Sequence, residues 1–311
     1  MYKGFLLLTF AFVVTAGAAN AYENTYAVIV AIDDYENDDV INDVPFLING
    51  ASAFYDFLTS RRGGTVPSGN ICKLIDKEAT RQNIIDRATA LFARASRNDR
   101  VIFYFCGHGG DGGFAPYDFD GYDWSVLSYG DIKAIFRSAS CGTKLLFADA
   151  CSSGGLKGSS NAHISQSIVG DSSTDDMNIA VMTSCRAGEN SIVTSALEMG
   201  IFSYCLIQGL GGMANSDGNA YITIQELFYY VYRQVLDKSK MKQTPQLFGK
   251  FDLRLIVAKV YSNNARKSNK RIYTNDHTAM KHNKQKLRNG ETLNEVKLRN
   301  LETQKRETYK H

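Results

Sequence analysis

Two apolar runs that stop abruptly on reactive residues constrain this chain more than any other feature. VIFYFCGHGG, residues 101–110, ends at His108 and Gly109, and LLFADACSSGG, residues 145–155, ends at Asp149, Ala150 and Cys151. Neither run alternates apolar with polar positions, so each reads as a strand covered on both faces, the pattern of a buried parallel sheet. Ligands and catalytic groups of such sheets gather beyond the carboxyl ends of the strands. A histidine at one end and a cysteine at the other can meet if the strands are neighbours. The separation of 43 residues between His108 and Cys151 leaves room for the crossover helix that neighbouring parallel strands require.

The remaining segments supply matching elements. Residues 26–32 (YAVIVAI) predict a first strand at the sheet centre, followed by strands over 71–75, 101–106, 145–149 and 179–183 and a final one over 253–260. Helices are predicted over 49–60, from an N-cap at Thr80 through Ala95, over 131–138 as the crossover, over 201–210, and from Thr223 to Val235. Pro45, Pro67, Pro116 and Pro245 all fall between these elements, where a residue lacking an N–H does no harm. The polar, serine-rich stretch 161–178 reads as a surface loop. Residues 33–43 are acidic and carry no GxGxxG, so they would repel phosphates, and a nucleotide-binding reading is demoted.

With 44% hydrophobic and 22% charged residues in 311, the chain is long and apolar enough for one large core. Residues 1–21 combine Lys3, an apolar stretch over 5–15 and a small-residue Ala19-Asn20-Ala21 site, which predicts a signal peptide. That stretch is too short to span a bilayer easily, so export without stable membrane insertion is expected, to a secreted or periplasmic location. The net charge of +3 conceals a basic excess after Tyr261. Residues 261–311 hold too little apolar surface to fold alone and predict a disordered tail; no nucleic-acid partner is expected.

The cysteines show no CxxC, so neither zinc nor a thioredoxin-like site is suggested; with Cys151 set aside, Cys72, Cys106, Cys141, Cys185 and Cys205 read as buried thiols, with one disulfide among them left open. Asp118, Asp120 and Asp123 in FAPYDFDGYDW and the NSDGN turn before Tyr221 both fail the spacing of a calcium loop. No cofactor or metal is expected.

A thiol becomes an effective nucleophile when a neighbouring base or positive environment favours its thiolate. His277, His282 and His311 belong to the tail and His163 to the polar loop, which leaves His108 as the base for Cys151. The backbone N–H groups of Gly109 and Cys151 would face the reacting carbonyl as an oxyanion hole. A serine hydrolase is a poor reading, because no GxSxG elbow is present.

GHGG after one apolar strand and DACSSGG after the next resemble the active-site segments of caspase-like cysteine peptidases, above all metacaspases and their bacterial relatives. The resemblance runs from about Tyr26 to Val260 and includes AIDDY, NGASAFYDFL, MTSCRAGENS, GIFSYCLIQGL and KQTPQLFG. It implies a three-layer αβα sandwich around a mixed, mostly parallel six-stranded sheet in a domain over 22–260. It also implies His108 as base and acid, Cys151 as nucleophile, protein or peptide substrates, and a backbone carbonyl that orients the histidine.

Asp149 precedes Cys151 by two residues and so faces the same side of the strand. It is similar to the metacaspase aspartate that binds an arginine or lysine side chain, which implies cleavage after basic residues. The family's second pocket carboxylate, expected in an Asn-Asp-Ala segment, is Gly50 in Asn49-Gly50-Ala51, and Asp33, Asp34 or Asp43 is left to substitute for it. The alternative is an inactive caspase-like module that binds peptides or serves as a scaffold.

Overall fold

The computed structural model describes residues 22–110, 112–150, 179–186 and 188–260. The predicted signal peptide, the segment that holds Cys151 and the serine-rich stretch, and the basic tail lie outside them. The chain divides after Lys259, and the elements below belong to the first unit.

The unbroken apolar runs become β1 (Thr25–Ala31), β3 (Arg100–Gly107), β4 (Thr143–Ala150) and β5 (Ile179–Thr183), in which every residue is buried. They join β2 (Ile71–Ile75) and β6 (Gln246–Phe248) in one sheet of order β6-β5-β4-β3-β1-β2. All neighbours are parallel except β6, which runs antiparallel along β5. Helices on both faces explain why these strands do not alternate. α2 (Arg81–Phe92) and α3 (Tyr129–Arg137) lay Ile84, Phe92, Ile132 and Phe136 over Val28, Phe103 and Leu146. On the opposite face α1 (Leu47–Thr59) stacks Phe54 on Tyr104 of β3 at 4.6 Å between ring centroids. α4 (Ile201–Gln208) lies against α1, and α5 (Ile224–Lys238) against α4. The architecture is the expected three-layer αβα sandwich.

Three details differ from the sequence reading. β1 lies between β2 and β3, one place from the edge, and the centre belongs to β3 and β4. The final strand forms only over Ile256–Lys259 and pairs antiparallel with Tyr221–Thr223 in a separate ribbon. The sixth place in the central sheet goes instead to β6, a short, half-buried edge strand directly after Pro245. A proline is tolerated at the start of an edge strand, but three residues carry no legible period.

Candidate active site

The register of the two central strands sets the site. Cys106 pairs with Asp149 and Gly107 with Ala150, so β3 and β4 end level with each other, one running on into His108 and the other into Cys151. Cys151 and its N–H lie outside the described residues. Ser184, just past β5, closes this end from the other side, its N–H donating to Ala148 O at 2.9 Å and its hydroxyl to Ala150 O at 2.9 Å.

The acidic loop after β1 folds back over His108. His108 Nε2 lies 2.8 Å from Asn42 O. A carbonyl oxygen only accepts, so Nε2 carries the proton and Nδ1 of the neutral ring keeps its lone pair. The His108 N–H donates to the buried Tyr35 hydroxyl at 2.8 Å, and the two rings lie 5.4 Å apart. Tyr35 N–H in turn donates to Asp43 Oδ1 at 2.9 Å. Gly107 is required beneath this arrangement, because a Cβ there would fall 2.9 Å from the Tyr35 hydroxyl and from Phe105 Cζ. Burial pushes the His108 pKa down, partly offset by the Asn42 carbonyl and the Asp43 charge, so the ring is held in its neutral, proton-accepting form.

Gly109 pairs with Phe114 in a small antiparallel ribbon, next to the Ala115 N–H to His108 O bond of 3.0 Å. The alternation of such a ladder turns the Gly109 N–H outward, away from the Phe114 strand.

Asp149 is 2% exposed. Ser191 Oγ donates to Oδ1, and the N–H and hydroxyl of Ser203 donate to Oδ2. Ser203 is the third residue of α4, whose N-cap, Gly200, offers no side chain. Asp149 therefore caps α4 from outside, and a Cβ on Gly200 would lie 2.1 Å from its Oδ2. Burial raises the Asp149 pKa, and the bonds from Ser191 and Ser203 counter only part of that. Among the described residues no lysine or arginine forms an ion pair with it. Gln243, fully buried, holds Ser191 by a 3.3 Å bond from Nε2 while the same amide donates to Ser184 O at 3.0 Å.

Where the metacaspase resemblance leads one to expect a second carboxylate, the space is filled. A Cβ on Gly50 would lie 3.1 Å from the Tyr104 hydroxyl and 3.3 Å from Ser203 Cβ. Tyr104, Cys106 and Ser203 form a connected set there, with Tyr104 Oη 2.6 Å from Ser203 Oγ and 2.9 Å from Cys106 Sγ. Of the three loop carboxylates considered as substitutes, Asp34 is exposed and the other two have other partners. Asp33 accepts from the N–H groups of Phe46 and Ile48 at 3.0 and 2.9 Å and so caps α1, and Asp43 holds Tyr35.

Residues 24–255 match the family model of the caspase domain. The chain belongs to the caspase domain family. The crystal structure of protein GSU0716 from Geobacter sulfurreducens is similar in fold, with 13% identity, a TM-score of 0.52, and coverage of 77% of this chain and 100% of that one. No curated protein matches. In this caspase domain the functional surroundings that sequence reasoning left unassigned are Tyr35, Asn42, Ser191, Gly200, Ser203 and Gln243. Five of the six lie in quoted segments, AIDDY, GENS, GIFSYC and KQTPQ, but nothing in those strings says which atom each would meet. Asn42 acts through its backbone, which no side-chain signal reveals. The five cysteines of the described residues, Cys72, Cys106, Cys141, Cys185 and Cys205, are thiols.

Proposed function

We propose that this caspase domain is a cysteine endopeptidase that uses a His108–Cys151 dyad and cleaves after arginine or lysine. The observation that carries the reading is the level ending of β3 and β4, with the His108 Nε2 proton spent on Asn42 O. In this mechanism Nδ1 takes the proton of the Cys151 thiol, and the thiolate attacks the scissile carbonyl carbon. The N–H groups of Gly109 and Cys151 stabilise the oxyanion. His108 then returns the proton to the leaving amine, and water hydrolyses the thioester by the same route in reverse order.

Asp149 is the specificity group. It is a buried carboxylate without a counter-ion among the described residues, and a carboxylate offers about four acceptor positions, of which Ser191 and Ser203 take three. A substrate guanidinium or ammonium would supply the missing positive charge. With the space at Gly50 filled, this reading rests on Asp149 alone among the described carboxylates. Export to a secreted or periplasmic location, from the pattern of residues 1–21, belongs to the same proposal.

Purified protein tested with a fluorogenic arginine peptide separates this reading from an inactive binding module. Turnover is expected from the wild type, and Cys151→Ala and His108→Ala should each remove nearly all of it, because the two groups act as a unit. Binding of the peptide without turnover by the wild type would favour the module instead.

A further inference from the structure

Six large hydrophobic side chains are exposed among the described residues, and three of them gather at one place: Val40 at 41%, Tyr122 at 57% and Trp124 at 68%. The place borders the loop whose Asn42 carbonyl meets His108. The loop that supplies Asn42 turns back on itself through Val40 and Ile41 N–H bonds to Asn37 O. It is clamped to the segment that follows the site by Asn37 Nδ2 to Phe119 O at 3.0 Å and Glu36 N–H to Tyr117 O at 3.0 Å. A Cβ on Gly121 would lie 3.0 Å from Val40 Cγ1, so Tyr122 begins where Val40 ends.

The two rings are built into position. Tyr122 and Trp124 stack at 4.2 Å with 10° between their planes. Asp120 holds both, accepting from Tyr122 N–H through Oδ1 and from Trp124 Nε1 through Oδ2, each at 3.1 Å. An aromatic pair fixed in water adds little to the core, and rigid Trp and Tyr faces are the groups on which recognition energy concentrates. The two segments that carry these rings and Val40 are acidic: residues 33–46 and 112–128 hold nine carboxylates and no lysine, arginine or histidine, and Arg81, which reaches Val126 O from α2, is paired with Asp131. Asp34, Glu36, Asp38, Asp39 and Asp123 stand exposed.

We propose that Tyr122 and Trp124, with Val40 and the flanking carboxylates, form an accessory subsite for a second cationic side chain of the peptide substrate, an arginine or lysine some residues from the scissile bond. The inference rests on the peptidase reading. An aromatic face attracts a guanidinium through its quadrupole, most strongly on tryptophan, while the acidic wall raises the local concentration of cations. The site thereby selects clustered basic residues over an isolated one.

Trp124 is the chain's single tryptophan, which gives a readout that does not depend on turnover. The full chain carrying Cys151→Ala is titrated with an acetylated oligoarginine peptide, with its oligoglutamate counterpart and with a neutral oligosaccharide, following tryptophan emission. Quenching by the arginine peptide alone, weakened by salt, supports the subsite. An equal response to the glutamate peptide, a response to the sugar alone, or one that tracks protein concentration rather than ligand would overturn it. In the active chain, the ratio of kcat/KM for peptides with and without the distal arginine should fall about three- to tenfold on Trp124→Ala and largely return in Trp124→Phe. An unchanged ratio contradicts the subsite. Absence of any turnover counts against the peptidase reading and leaves the emission result to decide this one.

Discussion

The Asp149 carboxylate caps α4 and, in the proposed function, also floors the basic pocket, and the two duties can be separated by experiment. As a helix cap it satisfies the Ser203 N–H, and an amide oxygen can do the same. As a pocket floor it must carry charge, and asparagine cannot. Removing one member of a buried ion pair typically costs about 3–5 kcal/mol, and about 1.4 kcal/mol is a decade. Asp149→Asn should therefore lower kcat/KM for arginine and lysine substrates on the order of a hundredfold while the chain stays folded and uncharged substrates lose far less; equal slowing of all substrates would leave Asp149 a cap only. His108 makes a prediction about pH. Burial favours its neutral ring, so protonation occurs below the ordinary value of 6.5. The kcat/KM profile should rise with pH through a step lying below 6.5, and a step well above it would mean that an unassigned group, or a coupled thiolate, sets the titration.

At the scale of elements, the helix starts show what a sequence can and cannot reveal. Thr80, Ser128 with Asp131, and Thr223 with Glu226 cap α2, α3 and α5 from within a few residues, and the Thr80 and Thr223 starts are where the sequence predicts them. α1 is predicted from 49 and begins at Leu47, because its cap is Asp33, far upstream, and Phe46 at the N-cap adopts a left-handed backbone with φ 76°. α4 is capped by Asp149 from another strand, a partnership no local motif announces. Gly200→Ala tests it. The new methyl would lie 2.1 Å from the carboxylate, so helix or aspartate must move. A loss of about 1–3 kcal/mol in urea unfolding is expected, together with weaker basic selectivity. Unchanged stability would contradict the cap.

On the scale of the whole molecule, the legible part was the buried sheet, since strands covered on both faces announce themselves as unbroken apolar runs. Their ends single out His108, Cys151 and Asp149 as candidates because reactive residues after a buried strand have few other uses. Less was legible where spatial neighbours are remote in sequence: Tyr35 and Asn42 reach His108 across more than 60 residues, and β6 reaches β5 with three residues of no periodicity. The filled space at Gly50 is also a three-dimensional fact. Only the fold brings Tyr104 and Ser203 to the position where a second carboxylate was missed.

The central claim is a nucleophile at the end of β4 that is activated by His108 and guided to basic residues by Asp149. It is tested most directly by incubating the full chain with arginine and aspartate versions of one peptidyl acyloxymethyl ketone and mapping the adduct by mass spectrometry. The account predicts one adduct per chain, on Cys151, formed much faster with the arginine probe, absent in Cys151→Ala and strongly slowed in His108→Ala. Labelling of Cys72, Cys185 or another thiol in its place, or preference for the aspartate probe, would contradict it.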